Sequence, residues 1–271
     1  MHGVLARKFA PENRYSGRRT RSILRDSTKR KRDNMNVHIL QHDPWVKPGA
    51  YLPWAKERGY GAAITRLWEY EPLPEGTDFD MLVILGGHQC PATTREECDY
   101  FDAAAETRFI RAAVAAGKMV IGSCLGAQLI GDALGGTFSH SPEREVGPAL
   151  LTLTDEGRSD PFLSAYPASF TAMEWHNDMA GLSDGAAVLA ASEGCPHQIV
   201  RYGTFVYGFQ PHMEFTKEII SEGIRATAGR PKQPGRFVHP DEELLAFDPS
   251  EMNRLLWAFL DAMAGAWRKT I

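Results

Sequence analysis

The sequence lacks long apolar segments, has few cysteines and carries little net charge. None of its apolar runs reaches the roughly 18 residues that a membrane-spanning helix needs, which argues against an integral membrane protein. The formal net charge is −4 over 271 residues, and the four cysteines show no Cys-x-x-Cys spacing or adjacent histidine pattern. A zinc site is therefore not expected. The cysteines are Cys90, Cys98, Cys124 and Cys195.

Basic residues are concentrated at the start of the chain. Residues 1–34 hold eleven of the 30 Lys and Arg residues against three acids, so the remaining chain is acidic. This segment has no apolar core of the secretory type. It could be a nucleic-acid-binding or targeting arm, but we favour a disordered leader, or translated sequence upstream of a start at Met35. Nucleic acid is not expected as the main partner of an acidic body.

From Met35 onward, segments typical of strands and helices alternate. This order predicts an α/β fold, a doubly wound, mostly parallel sheet with helices on both faces. Strands are expected at 36–41, 63–68, 81–85, 149–153, 169–174, 187–191, 197–202 and 204–209, and in the short apolar run just before Cys124. Helices are expected at 51–58, from 93 or 94 to about 116, at 125–134 and at 250–266. We expect one domain over residues 35–228, then a loop and a C-terminal helix (229–271) whose apolar stripe packs on it, or less readily forms a subunit interface.

The segment around Cys124 is the most informative part of the sequence. An apolar run ends at Gly122, Cys124 follows, and a helical pattern begins just after Cys124. This is the cysteine form of the nucleophile elbow, a tight strand-to-helix turn that exposes the reactive atom. Glycines at both flanking positions avoid collisions with the sharply turned backbone. The alternative is an ordinary buried cysteine.

A second motif supplies what a cysteine nucleophile needs. An apolar strand ends in His212-Met213-Glu214, where His212 can serve as the base and Glu214 can orient its ring. Alone, this pair would also be compatible with a solvated surface histidine beside an ordinary acid. Together with the elbow, it indicates a Cys-His-Glu catalytic triad in which Cys124 is the nucleophile.

With these motifs, the chain resembles the class I (triad) glutamine amidotransferases, a family with a flavodoxin-like fold that hydrolyses the side-chain amide of glutamine. The resemblance rests on the elbow from Gly122 to Gln128, the His212–Glu214 pair, a strand ending in Gly86-Gly87, and a pocket loop at 174–178, all in family order. It implies that the amides of Gly87 and Leu125 form the oxyanion hole, and that Gln128, His176 and Gly86 contact the substrate. Gln128 would otherwise be a helix-surface residue, and His176 a packed loop histidine.

Three positions depart from the family pattern. His88 and Met213 stand where the family usually has proline, and Asn177 stands where glycine is common. Because these positions border the expected pocket, the substrate stays open between free glutamine and another γ-glutamyl compound. A non-catalytic regulatory module with the same fold is the alternative from another class, although all three triad residues are present.

The resemblance also bears on partners and cofactors. The sequence shows no P-loop or ATP-pyrophosphatase motif, so it resembles the glutaminase domain of GMP synthase as a stand-alone unit. The implied reaction releases ammonia and glutamate through a thioester, needs no metal or organic cofactor, and can supply a separate synthetase subunit. A catalytic cysteine makes a reducing cytoplasm the expected compartment.

Overall fold

A ten-stranded mixed sheet runs through the residues that the computed structural model describes, 35–228 and 234–270. The predicted basic leader lies outside these residues. The strands are β1 (Asn36–Gln41), β2 (Gly61–Arg66), β3 (Met81–Ile84), β4 (Met119–Ser123), β5 (Ser139–Leu153), β6 (Ser169–Met179), β7 (Ala187–Ala191), β8 (Ile199–Gly203), β9 (Val206–Phe209) and β10 (Phe237–Val238). The helices are α1 (Tyr51–Glu57), α2 (Ala103–Ala115), α3 (Leu125–Ala133), α4 (Asp155–Ser159), α5 (Lys217–Thr227), α6 (Asp241–Ala246) and α7 (Ser250–Trp267), with a 3₁₀ turn at Leu67–Glu69.

The strand order is β10-β5-β7-β8-β9-β4-β3-β1-β2, with β6 paired to β5. The central strands β2, β1, β3, β4 and β9 are all parallel to their neighbours in this row. Four pairs are antiparallel: β5 with β7, β7 with β8, β8 with β9, and β5 with β6. The predicted mostly parallel α/β sheet is confirmed, with an antiparallel extension at one side.

Helices cover both faces of the central sheet. Alternate residues of β3 enter different clusters: Met81 and Val83 pack with α1, α5 and α7, whereas Leu82 and Ile84 pack with α2 and α3. Strands buried on both faces read as continuous apolar runs, which is why β3 and β4 could be recognised in the sequence. Among the described helices, none is long and apolar enough to cross a membrane.

Several elements differ from the sequence-based expectation, among them α4 and α5, which were not predicted, and β6, which is longer than predicted. The helix α2 begins at Ala103 and not near Thr93, because Asp102 accepts the capping hydrogen bond from the amide of Ala105 (2.8 Å). β5 is far longer than predicted. Its first half is polar, and its pairing with β6 is irregular between His140 and Glu145, so the sequence pattern did not mark this half as a strand. The segment predicted as a loop before the last helix contains β10 and α6. The domain boundaries themselves remain a prediction.

The final helix α7 packs against the core of the same chain. The six residues of its predicted apolar stripe are at most 1% exposed, and they belong to the same cluster as β1 and β3. They are Met252, Leu255, Leu256, Phe259, Leu260 and Met263. The helix therefore contributes to the core that supports the central strands from one face.

Candidate active site

The turn between β4 and α3 has the geometry of a nucleophile elbow. Cys124 is the single residue between the two elements, and its backbone adopts φ 51° and ψ −110°. A non-glycine residue in such a region carries roughly 1–3 kcal/mol of strain. A Cβ at Gly122 would lie 2.3 Å from the carbonyl carbon of Gly126, and one at Gly126 would lie 2.0 Å from the oxygen of Ile84. Both glycines are therefore required for the close approach of α3 to the sheet.

His212, which follows β9, lies next to Cys124. A Cβ placed on Gly86 would be 3.3 Å from Cys124 Cβ, 2.6 Å from His212 Cε1 and 3.4 Å from His212 Nε2. The two side chains thus meet above the backbone of Gly86, and both line the same cavity. Two residues separated by about ninety positions are brought together because β4 and β9 are parallel neighbours.

Glu214 holds the other end of the imidazole ring. Nδ1 of His212 donates a hydrogen bond to Glu214 Oε1 (2.8 Å), which leaves Nε2 on the side of Cys124. The second carboxylate oxygen accepts a hydrogen bond from Ser123 Oγ (3.0 Å), and Tyr51 OH lies 3.3 Å from Ser123 Oγ. All four side chains are buried. Ser123 and Tyr51 carry no motif that would have identified them in the sequence.

This environment raises the pKa of His212 to about 10. Burial alone would lower this pKa, but the charge of Glu214 and hydrogen bonds to Cys124 and Glu214 outweigh the burial. His212 therefore retains a proton at neutral pH and can donate it to a leaving group. The ring also stacks on Phe215, with centroids 4.0 Å apart, which restricts its rotation.

The two predicted oxyanion donors lie close to the elbow. Leu125 is the first residue of α3, so its amide has no acceptor within the helix. A Cβ at Gly87 would lie 3.2 Å from Leu125 Cδ2 and 2.9 Å from His42 Cβ, so the Leu125 side chain packs beside the backbone of Gly87. His42 is held in place by a buried hydrogen bond between its Nε2 and Glu106 Oε2 (2.7 Å). The arrangement suits an oxyanion hole, whose role stays a prediction.

A cavity of about 430 Å³ opens beside Cys124 and His212. Gln128 lines it and is buried, and its Nε2 donates a hydrogen bond to the carbonyl oxygen of Asp178 (3.2 Å). Its Oε1 is buried with no hydrogen-bond partner among the described residues. A helix-surface position for Gln128 is therefore excluded. Gly86 lies under Cys124 and His212 and is not among the residues that form the cavity wall.

His176 also borders the cavity, but its side chain is engaged in a buried polar cluster. Nε2 donates to Glu145 Oε2 (3.1 Å) and lies 3.1 Å from Glu174 Oε2. Burial lowers the pKa of His176, but hydrogen bonds to Glu145 and Glu174 outweigh it and place this pKa well above the usual value. His176 is thus a buried imidazolium that supports the pocket wall.

The same cluster contains a group that could hold a metal ion, formed by Glu145, His176 and Cys195, whose ligand atoms lie within 4.8 Å of one another. No sequence motif marks this group, because its members come from two strands and a loop. Glu145 already accepts hydrogen bonds from Ser192 (2.7 Å) and Gln198 (2.7 Å) as well as His176. Protein donors therefore satisfy the carboxylate, and we interpret the cluster as a hydrogen-bonded support.

The departures from the family pattern do not all border the cavity. His88 and Asn177 line it, and His88 Nδ1 lies 3.0 Å from Asp43 Oδ2. Met213, however, is fully buried in the hydrophobic core. The expectation that all three positions border the pocket is wrong for Met213. This residue lies between His212 and Glu214 in the sequence, but its side chain packs in the core.

Comparison with known proteins agrees with this geometry. The sequence matches the family model of glutamine amidotransferase class-I over residues 56–223, and the chain belongs to this family. It is 49% identical over 232 residues to the glutamine amidotransferase-like protein YfeJ of Salmonella typhimurium, a match that covers 84% of this chain and 97% of that protein. The resemblance inferred from the motifs is confirmed at the level of the family.

Two further similarities concern the fold and the glutaminase domain. The crystal structure of SMU.1228c has a TM-score of 0.82 and 42% identity, covering 84% of this chain and 99% of that chain. GMP synthase (glutamine-hydrolyzing) of Thermosipho africanus is 35% identical over 108 residues, which is 39% of this chain and 20% of that protein. The likeness to GMP synthase is thus limited to a part of that protein.

Proposed function

We propose that this protein hydrolyses a γ-glutamyl amide, in the simplest case glutamine, through Cys124, His212 and Glu214. The observation that carries the proposal is the position of Cys124 on a strained elbow, beside a buried His212 that Glu214 orients (2.8 Å). A structural histidine would not need to lie against a cysteine at the mouth of a cavity. A regulatory module without activity is less well supported, because the nucleophile, the base and the carboxylate that orients the base are all present.

In the first step, Cys124 Sγ attacks the γ-carbonyl carbon as a thiolate, because its proton is held by His212. Negative charge then develops on the carbonyl oxygen, where the amides of Gly87 and Leu125 can donate hydrogen bonds. A donor of this kind lowers the barrier by roughly 3–4 kcal/mol in well-studied acyl transfer. The positive end of α3, which begins at Leu125, favours the same charge.

In the second step, His212 Nε2 gives its proton to the leaving nitrogen as the carbon–nitrogen bond breaks. Ammonia leaves from glutamine, and a thioester on Cys124 remains. His212 then takes a proton from water, which attacks the thioester and releases glutamate. The raised pKa of His212 keeps the proton available for the first transfer. No step in this reaction calls for a metal or an organic cofactor.

The α-amino acid end of the substrate is expected near Gln128. Arg144 lines the same cavity, and its buried Nε has no hydrogen-bond partner within the described part of the chain. A guanidinium pairs strongly with a carboxylate, so we expect Arg144 to bind the α-carboxylate. His176 acts behind the wall and holds it in place. We keep glutamine as the first candidate, and a γ-glutamyl peptide or amine as the second, because the cavity extends beyond Cys124.

The released ammonia could serve a separate synthetase subunit, and the cytoplasm is the expected compartment for a catalytic thiol. The test is to incubate the protein with glutamine and with γ-glutamyl amines while measuring free glutamate. The variant Cys124→Ala should lose all turnover, whereas Cys90→Ala, which alters another cavity cysteine, should retain it. Turnover that persists in Cys124→Ala would exclude the mechanism. Glutamine turnover that requires an added synthetase would favour ammonia delivery. If the protein hydrolyses none of these substrates and Cys124 is not labelled by a glutamine-like electrophile, the regulatory module would be favoured.

A further inference from the structure

The cavity continues past Cys124 into a region that we name the distal compartment. Its walls are formed by Trp45, Val46, Trp175, Thr227, Val238, His239, Asp241 and Leu244. Trp175 of β6 is the cross-strand partner of Val146 of β5, which in turn pairs with Val238 of β10. Neighbouring strands lie roughly 4.8 Å apart. The row of residues from Trp175 through Val146 to Val238 therefore extends roughly 10 Å from β6 in the direction away from Cys124.

The strand β6 shows on which side of Cys124 this compartment lies. The carbonyl oxygen of Met173 accepts a hydrogen bond from the amide of His212 (2.8 Å), and that of Trp175 accepts one from Cys124 Sγ (3.8 Å). Further along, the carbonyl oxygen of Asp178 accepts the hydrogen bond from Gln128. His212 and Gln128 are therefore on opposite sides of the nucleophile along β6.

Aromatic contacts connect His212 to the distal compartment. The His212 ring stacks on Phe215, which lies 5.9 Å from the ring of Trp45, and Trp45 lies 5.3 Å from the ring of Trp175. The compartment thus opens on the side of the general acid. Because His212 must protonate the nitrogen that leaves, a group attached to that nitrogen would enter this compartment.

Most wall residues of the distal compartment lie outside the span of the family match, and five of the eight are apolar. The family match spans residues 56–223 and contains Cys124, His212 and Glu214. Trp45 and Val46 precede that span, and Thr227, Val238, His239, Asp241 and Leu244 follow it, so seven of the eight wall residues lie outside the match. The proposed catalytic residues therefore lie within the family match, whereas most of this part of the cavity wall does not.

From these observations we infer that the site accepts γ-glutamyl amides whose leaving nitrogen carries an apolar group. Ammonia would leave most of the distal compartment unused, whereas an aliphatic or aromatic group would bury apolar surface against Trp45, Trp175 and Val238. This inference rests on the proposed function, since it names the substrate class of the same site.

The reaction remains a hydrolysis. Cys124 Sγ forms a bond to the γ-carbon, the carbon–nitrogen bond breaks, and the His212 proton goes to the leaving nitrogen, which departs as a free amine. Water then hydrolyses the thioester to glutamate. One γ-glutamyl amide and one water give one glutamate and one amine, and no further reactant is needed.

The experiment compares glutamine with γ-glutamyl-isoamylamine and measures kcat/KM from released glutamate. For the unaltered protein, we expect the isoamylamine derivative to be hydrolysed with a kcat/KM at least equal to that of glutamine. Val238→Trp would fill the distal compartment, and it should lower the ratio of the two kcat/KM values (amine over glutamine) by about tenfold or more. The matched control is Leu245→Trp on α6, whose side chain is 51% exposed and is not part of the cavity wall; it should leave the ratio unchanged.

Two outcomes would overturn the inference while leaving the hydrolase intact. One is turnover of glutamine without turnover of the isoamylamine derivative. The other is an unchanged ratio in Val238→Trp, with turnover of both substrates retained. Failure of the proposed function has a different signature, in which neither substrate releases glutamate and Cys124 is not labelled by a glutamine-like electrophile.

Discussion

The hydrogen bond from Ser123 to Glu214 provides the sharpest test of how the site is held together. Ser123 Oγ donates to Glu214 Oε2 at 3.0 Å, and both side chains are fully buried. A hydrogen bond to a charged group contributes roughly 1.5–3 kcal/mol. Ser123→Ala removes this donor without touching the cavity, because Ser123 does not line it. Glu214 would then hold His212 less firmly in the orientation that catalysis needs.

If the whole contribution acts on the transition state, kcat should fall about 10- to 100-fold, since roughly 1.4 kcal/mol corresponds to a factor of ten. KM should stay nearly constant, because the substrate does not contact this residue. The assay is glutamate release under saturating and limiting substrate, with thermal unfolding as a check on folding. Ser123→Thr keeps the hydroxyl and should recover most of the activity. A folded Ser123→Ala protein with kcat within twofold of the unaltered protein would refute the reasoning.

Two other predictions concern the pH profile and the elbow. Glu214→Gln removes the charge that raises the pKa of His212 to about 10. Burial then dominates and lowers this pKa, so the alkaline limb of the kcat/KM profile, where His212 loses its proton, should move to lower pH. An unmoved limb would show that His212 is not the group that titrates there. Gly126→Ala would place a Cβ 2.0 Å from the oxygen of Ile84, and we expect a loss of roughly 3 kcal/mol or more in the free energy of unfolding, measured with urea. As its control, Gly265→Ala in α7 meets nothing within 4 Å and should be neutral or stabilising by up to about 1 kcal/mol; equal losses in both variants would contradict the steric argument.

The elbow and the central sheet could be predicted because their determinants are local. A nucleophile flanked by glycines is typical of a tight strand-to-helix turn, and continuous apolar runs such as β3 mark strands buried on both faces. The carboxyl ends of parallel strands meet at one edge of a sheet. This rule predicted that Cys124 lies close to His212 and Glu214.

The residues that were missed depend on contacts between distant parts of the chain. Ser123 and Glu214 are 91 positions apart, and Tyr51 reaches Ser123 across 72 positions; no local pattern connects them. The polar first half of β5 has no alternation of apolar residues, so its pairing with β6 could not be read from the sequence. The short elements β10 and α6 follow a stretch rich in proline, glycine and basic residues, whose composition predicted only a loop.

The buried ion pair between Glu145 and His176 has a consequence for the assembly of the site. These residues are direct partners across β5 and β6, so a slip of one position between the strands would separate two buried opposite charges, which is strongly unfavourable. The pair therefore selects one alignment of the two strands. Because three carbonyl groups of β6 contact His212, Cys124 and Gln128, that single alignment also determines where β5 lies relative to the proposed general acid, the proposed nucleophile and Gln128.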